Sequence, residues 1–213
     1  MKRSTINLNL GDSLEAMKMM EDNAYDLAIV DPPYNVGASN GNFGGQKKKP
    51  SKISGKTKAK HYANHDRTPD EEYFNELFRV SKNQIIWGSN YYPQYLTHSG
   101  AIVWDKLTTG PLSDCELAFQ SFNKLVYKFT NAWSGFNKGG DTSQRVHPNQ
   151  KPIRLYEWQI KTFAKEGDKI LDTHGGSMSI ALACHNLKFD LDLWELDEDY
   201  HAAGVKRFNN HIK

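Results

Sequence analysis

Short apolar or alternating stretches recur along the chain, separated by stripes at helical spacing. Thr5-Ile6-Asn7-Leu8-Asn9-Leu10 alternates polar and apolar residues, as a half-buried strand does. Gly11-Asp12 turns the chain, and Asp12 or Ser13 can cap a helix that carries Leu14 and Met17 on its inner face. Tyr25-Asp26-Leu27-Ala28-Ile29-Val30 reads as a buried strand. Thr68-Pro69-Asp70-Glu71 predicts a helix start with Thr as cap and Pro at the first position, followed by a stripe of Tyr73, Phe74, Leu77 and Phe78. Gln84–Trp87 and Ala101–Asp105 predict strands, with a short aromatic helix near Asn90–Leu96 between them. Glu116–Phe122 and Leu125–Thr130 predict a hairpin across Asn123-Lys124. Ile153, Tyr156, Ile160 and Phe163 mark a helix. A strand at Asp168–Asp172, a helix carrying Ile180, Ala183 and Leu187, a strand ending at Glu195 and a helix from about Glu198 to Asn210 complete the chain. Alternating strands and helices predict an α/β fold: a mostly parallel sheet covered on both faces, with an antiparallel hairpin at one edge.

Two segments break this rhythm. Residues 35–66 are rich in Gly, Asn, Ser and Lys, too long for an ordinary connection. Residues 36–64 hold Lys47, Lys48, Lys49, Lys52, Lys56, Lys58 and Lys60 and no acids, so the rest of the chain carries net −5 although the whole is +2. Such a run reads either as a solvated loop or as an arm that grips a polyanion. Residues 131–146 are Gly-rich and polar, with Trp133 and Phe136.

Composition narrows the class. A chain of 213 residues with 38% hydrophobic residues is expected to form one domain, 1–213. No apolar run approaches a membrane span, and the start has no apolar core of a signal peptide, so a cytoplasmic compartment and no membrane partner are expected. Cys115 and Cys184 stand far apart and read as buried apolar fillers, not as a disulfide or a zinc site. His147 and His174 lack further ligands at metal spacing, so no metal is expected.

Two constellations carry candidate chemistry. In Asp31-Pro32-Pro33-Tyr34 the prolines end a strand and stiffen it. Asp31 then sits at a strand's carboxyl end, where open α/β sheets place ligands. Its carboxylate, the Pro32 carbonyl and the Tyr34 ring suit a planar base with an exocyclic amine: two acceptors for the amine hydrogens and one ring to stack on. The second constellation is Asp172-Thr173-His174-Gly175-Gly176-Ser177, a strand, glycine turn and helix start, with Glu195 closing the next strand. A helix start favours an anionic group, and an acid ending the next strand can accept from ribose hydroxyls, which describes a nucleoside cofactor site. The glycine pattern is neither GxGxxG nor GxxxxGK[ST], so it supports neither dinucleotide nor triphosphate binding.

On these motifs the chain resembles the amino-group DNA methyltransferases that use S-adenosylmethionine, in the permuted order called the β group. It looks closest to small phage-type adenine methylases. Asp31-Pro32-Pro33-Tyr34 matches the family's catalytic motif. Residues 172–178 stand where the family has Asp-Pro-Phe-x-Gly-Ser-Gly, with Thr173, His174 and Met178 as departures. His147-Pro148-Asn149-Gln150-Lys151-Pro152 is close to the family's His-Pro-x-Gln-Lys-Pro. The resemblance implies a Rossmann-like, circularly permuted methyltransferase fold with sheet order 3-2-1-4-5-7-6 in family strand naming. It implies S-adenosylmethionine contacts at Asp12 (to the adenine), Asp31, Asp172, His174, Gly175, Gly176, Ser177 and Glu195. Lys151 reads either as a partner of the cofactor carboxylate or as a surface lysine at a helix start. The implied activity is site-specific methylation of adenine N6 in double-stranded DNA, by direct transfer to an extruded base.

Cytosine-N4 methylation shares the chemistry, but the family tends to place Ser where Asp31 stands for cytosine. Protein-glutamine methylation goes with an Asn-Pro-Pro-Tyr motif and an earlier cofactor loop, and both disagree with this chain. A catalytically dead DNA-binding decoy is the non-enzyme alternative. Loop 36–66 and residues 123–146 are the candidates for reading DNA sequence, with a homodimer as a candidate assembly. Trp87, Tyr91 and Tyr92 read as core or pocket wall, and Asn90, Asp105 and Lys106 as candidates to border the pocket.

Overall fold

The computed structural model describes residues 4–34, 68–97, 100–108, 113–133 and 145–213. Candidate DNA-gripping residues Lys47, Lys48, Lys49, Lys52, Lys56, Lys58 and Lys60 lie outside the described residues, as do 134–144 of the candidate recognition segment.

The strands are β1 (Ile6–Leu10), β2 (Tyr25–Val30), β3 (Ser81–Trp87), β4 (Gly100–Asp105), β5 (Cys115–Gln120), β6 (Val126–Thr130), β7 (Lys169–Asp172) and β8 (Asp190–Glu195). They form one sheet in the order β1-β8-β7-β2-β3-β5-β4-β6. All neighbours pair in parallel except at β5, which runs antiparallel to both β3 and β4. The order from β1 to β4 is the expected 3-2-1-4-5-7-6, with β6 added at the outer edge. Every strand but β5 therefore ends on one edge of the sheet, and β5 begins there.

Each face of the sheet is covered. Leu27 and Ile29 of β2 point into a core formed with α3 (Ile153–Phe163), α4 (Ser179–Leu187) and α5 (Glu198–His211). Ala28 and Val30 point the other way, onto Met17 of α1 (Ser13–Lys18) and Tyr73, Phe74 and Leu77 of α2 (Glu71–Val80). A strand buried on both faces needs apolar residues at successive positions, which is why β2 reads as a continuous apolar run.

The expected hairpin does not form. β5 and β6 both pair with β4, which lies between them. The connection is held by the fully buried Gln120 side chain, whose Nε2 donates to the carbonyls of Asn123 (2.8 Å) and Leu125 (3.0 Å), while its Oε1 accepts from Phe122 N (2.9 Å). Gly100 N and Ala101 N of β4 donate to those same two carbonyls, which carries the chain past β4 to its far side.

Helix α2 begins after Asp70 rather than at Thr68, because the Asp70 carboxylate accepts from Tyr73 N at 3.3 Å and takes the capping role. The aromatic helix near 90–96 is reduced to a 3-10 turn at Ser89–Tyr91, since Pro93 has no N–H to extend it. Cys184 is buried as expected, whereas Cys115 is exposed at the start of β5.

The departure at Met178 has a packing counterpart. Met178 caps α4 in the left-handed conformation (φ +57°) and is fully buried. Its side chain fills the space above Gly204 of α5, where a Cβ would stand 2.7 Å from Met178 Cγ. A left-handed Met costs ~1–2 kcal/mol, less than the ~2–5 kcal/mol lost when a buried Met is truncated. Met178→Gly should therefore destabilise the protein by ~1–3 kcal/mol in denaturant unfolding, although it restores the residue that the backbone angle favours.

Candidate functional site

Pairing in register puts the tips of β2 and β7 side by side, with Leu27 opposite Ile170 and Ala28 opposite Leu171. Asp31 follows the first strand and Asp172 ends the second. One residue from outside the sheet joins the end of β2 to the start of α4. Lys151 Nζ forms an ion pair with Asp31 Oδ2, while the Lys151 carbonyl accepts from Ser179 Oγ at the start of α4 (2.8 Å). Lys151 is 5% exposed, so the surface-lysine alternative is excluded, and its ammonium is engaged with Asp31 and, at 3.5 Å, with Glu116 of β5. Glu116 also accepts from Lys106 Nζ at 3.1 Å, beyond the end of β4.

The charges respond to burial and to one another. Burial pulls Lys151 down, but Asp31 and Glu116 more than offset this and hold its ammonium above the usual lysine range. Burial pushes Glu116 up, yet Lys151 and Lys106 outweigh it and keep that carboxyl below its ordinary value. Asp31 ends above its ordinary value, because burial and the nearby Glu116 exceed the pull of Lys151. Its second oxygen, Oδ1, is buried and has no hydrogen-bond partner among the described residues. A buried carboxylate oxygen without a donor is costly and marks a place where a ligand's donor would fit.

Around Asp31 the backbone is fixed by aromatic side chains. The Tyr92 hydroxyl donates to the Pro33 carbonyl (2.7 Å) and the Pro32 carbonyl (3.1 Å). A carbonyl has two lone pairs, so Pro32 retains capacity for a second donor. The Tyr34 ring, read from sequence as a stacking platform, lies parallel to Tyr91 at 4.2 Å and 8°. Gly88 (φ +71°) makes room for it, as a Cβ there would stand 2.8 Å from the ring. Asn90 is exposed in the same 3-10 turn.

At the β7 tip the glycine turn is internally bonded. His174 N donates to Asp172 Oδ1 (3.0 Å), Gly175 N to Trp194 O (2.8 Å), Gly176 N to Glu195 Oε2 (2.6 Å) and Met178 N to Gly175 O (2.7 Å). The amides of residues 174, 175, 176 and 178 are therefore already used. Glu195 also accepts from Asp197 N (2.9 Å) through its other oxygen. Each of its oxygens keeps a lone pair for a further donor such as a hydroxyl. Thr173 and His174 tie the turn to α2: Thr173 Oγ1 lies 2.6 Å from the Tyr73 hydroxyl and 2.9 Å from His174 Nδ1. Ser177 and Ser179 share a hydrogen bond (3.0 Å), and Arg207 of α5 donates to the Ser177 carbonyl (2.7 Å). Asp12 caps α1 through Leu14 N (2.8 Å) and faces His174 closely enough to act on its charge. Burial holds both His174 and His147 down to about 4, so each is neutral at neutral pH. Among the described residues, no group of three His, Cys, Asp or Glu side chains could hold a metal.

Glu116 reaches this site from β5, and Lys106, just past the end of β4, joins it through Glu116. From sequence, Glu116 opens an ordinary strand, and only the reversed direction of β5 brings it to the functional edge.

An open sheet with acidic side chains and a glycine turn at adjacent strand tips is that of a Rossmann-like α/β enzyme that binds a nucleoside-type ligand. A family model described as DNA methylase matches residues 56–206. The chain belongs to that family, the DNA N6-adenine and N4-cytosine methyltransferases. It is similar to the type II methyltransferase M.HpaI of Haemophilus parainfluenzae, with 26% identity over 94% of this chain and 73% of the relative. Among solved structures it is similar in fold to an M1.HpyAVI–SAM complex (TM-score 0.60, 19% identity, covering 95% of this chain and 99% of that one). It is also similar in fold to the cytosine-N4-specific PvuII DNA methyltransferase (TM-score 0.63, 16% identity, covering 97% and 87%). No described helix is long and apolar enough to cross a membrane.

Asp172 gives this site a signature in stability. Burial, with the Asp31 and Glu195 carboxylates nearby, raises it from its ordinary 3.8 to about 8, against the amide of His174. The native state thus holds a proton that the unfolded chain releases, and this group makes stability fall as pH rises between those two values. Asp172→Asn should flatten that slope, so that the variant gains on the wild type in denaturation midpoint between ~pH 5 and ~pH 8.

Proposed function

We propose that this chain methylates the N6 amine of adenine in double-stranded DNA, using S-adenosylmethionine. The observation that carries the reading is Asp31 Oδ1: a buried acceptor without a partner at the tip of β2, next to the Pro32 carbonyl, the Tyr34 ring and the β7 glycine turn.

The residues at the β7 tip fit this cofactor by the sign of their charge. Asp31 and Glu195 both bear on Asp172 there, while the turn's amides at 174, 175, 176 and 178 are engaged internally. A cation relieves such a cluster, whereas a phosphate would find no free donors at those positions. Asp12, Glu195 and the 174–177 turn would hold the nucleoside. When bound, S-adenosylmethionine supplies an electrophilic methyl on a sulfonium centre. Lys151 is paired with Asp31 and Glu116, which supports a role on the catalytic side of the site rather than at a cofactor carboxylate.

An exocyclic amine conjugated with its ring is a poor nucleophile. Asp31 Oδ1 and the Pro32 carbonyl accept its two hydrogens and favour a pyramidal nitrogen with an available lone pair. As positive charge develops on that nitrogen, the Asp31 carboxylate stabilises it, and the same oxygen is the acceptor for the proton the nitrogen sheds. Tyr34, which lies flat against Tyr91 at 4.2 Å on one face, is the proposed stacking surface for the extruded base. The lysine-rich segment 36–66 is the proposed grip on the duplex backbone.

Cytosine-N4 methylation is the second reading, since the amine chemistry is shared and the cytosine-N4-specific PvuII enzyme has the same fold. Incubating wild-type protein, labelled cofactor and mixed-sequence duplex DNA, then identifying the methylated nucleoside by mass spectrometry, separates the two. N6-methyladenine is expected, and N4-methylcytosine alone would replace the proposal. Asp31→Ala should lower methyl transfer by ~10²–10³-fold or more while calorimetry still detects cofactor binding. Loss of both together would make Asp31 a cofactor ligand instead.

A further inference from the structure

The structure assigns Lys151 and Glu116 as positioning residues that set the charge and aim of the Asp31 carboxylate, through a row of alternating charges running Lys106–Glu116–Lys151–Asp31. The assignment rests on Asp31 being the catalytic carboxylate of the proposed reaction.

The geometry is specific. Lys151 Nζ contacts Asp31 Oδ2 and lies 3.5 Å from Glu116 Oε2, while Glu116 Oε1 lies 3.1 Å from Lys106 Nζ. The side chains of Lys151 and Lys106 are 5% and 13% exposed, so this is not a solvated surface network. The Lys151 ammonium also stands 5.6 Å from the Trp87 ring centroid, and its main chain is anchored by Ser179. Holding Oδ2 on Lys151 turns Oδ1 away as the free acceptor. Glu116 competes for the same ammonium, so Asp31 does not receive the whole of its charge. A carboxylate fully neutralised by a lysine would be a weaker acceptor for the amine and a poorer sink for its proton. Glu116 keeps Lys151 in place while sharing it.

The other groups facing Asp31 do not reproduce this effect. Tyr34 beside it, Tyr73 on α2, Tyr92 after the 3-10 turn and Tyr156 on α3 are all raised, first by burial, and stay neutral across the working pH range. Asp172 at the β7 tip, raised to about 8, is the remaining neighbour whose charge changes in that range.

The two links act on Asp31 in opposite directions. Glu116→Gln removes a repelling charge and leaves Lys151 to Asp31 alone, so Asp31 should titrate lower. Lys151→Gln removes the attraction and leaves two carboxylates facing each other, so Asp31 should titrate higher. The test is the ¹³C-carboxyl NMR titration of Asp31 in the full chain without DNA or cofactor. The resonance is identified by its loss in Asp31→Asn, and the series is repeated in an Asp172→Asn background. Displacements of about one pH unit or more, opposite in sign for the two variants, are expected. In methyl transfer, the acid limb of the kcat–pH profile should move the same way: down for Glu116→Gln and up for Lys151→Gln. Glu116→Asp should restore the wild-type profile. An Asp31 midpoint that is unchanged in Glu116→Gln, or displaced in the same sense by both variants, overturns the assignment. If the wild type methylates no DNA, the proposed reaction fails, and the NMR series still decides whether the row of charges controls Asp31. If Lys151→Gln fails to fold, Glu116→Gln and Glu116→Asp carry the test by themselves.

Discussion

Lys151 is the joint on which the site depends. Its ammonium meets the carboxylate at the end of β2, its carbonyl meets the first hydroxyl of α4, and the residue after it opens α3. From Ser179 the bonding continues to Arg207, which also holds the Ser177 carbonyl, so α5 is joined to the same chain. Side chain and main chain of one residue thus tie the segment after β2 to the start of α4. Buried ions seldom stabilise a fold, because desolvation costs several kcal/mol per charge and the attraction repays it only with good geometry. A row of four charges at one edge of the sheet is better understood as something the fold supports than as something that supports the fold.

That support comes from the two apolar cores. Tyr92 and Phe74 sit in the core on the α1–α2 face, and Tyr92 extends its hydroxyl to the Pro32 and Pro33 carbonyls. Trp87, in the core on the opposite face, underlies Lys151. The segment after β2 is therefore clamped from both sides of the sheet. Proline restricts its backbone, and the aromatic side chains determine where the restricted segment lies. Preorganisation of this kind gives oriented acceptors their effect, since they need not reorganise when charge develops nearby.

Much of this was legible in the sequence. Strand and helix periodicity located nearly every element, and the prolines at 32 and 33 marked the end of a buried strand. What could not be read were properties of pairing. Nothing local in Glu116–Gln120 says that this strand runs against its neighbours, so Glu116 could not be placed beside Asp31. Asn123-Lys124 looks like a hairpin turn, yet the side chain of Gln120 diverts the chain across β4. The environment of Lys151 was hidden for the same reason, because its partners come from β2 and β5, far away in sequence. Thr173, His174 and Met178 appeared as defects in a motif. In the structure each has a neighbour that accounts for it: Tyr73 for the first two and Gly204 for the third.

The glycine turn shows why a motif and its electrostatics must be read separately. Glycines before a helix suggest an anion site, because the first helical amides lack partners. Here the amides of residues 174, 175, 176 and 178 are satisfied by Asp172, Trp194, Glu195 and Gly175 before any ligand arrives. Two of those acceptors are the carboxyl groups of Asp172 and Glu195, so these amides are satisfied from within the fold. Gly175 serves contact with β8, since a side chain there would collide with Leu193, and Gly176 serves a left-handed angle (φ +48°) beneath the His147 ring. The glycines are thus explained by packing and backbone shape. Asp31, the third carboxyl group at this edge, helps burial hold the Asp172 proton up to about 8, so the turn is closed by hydrogen bonds and a retained proton before any ligand enters.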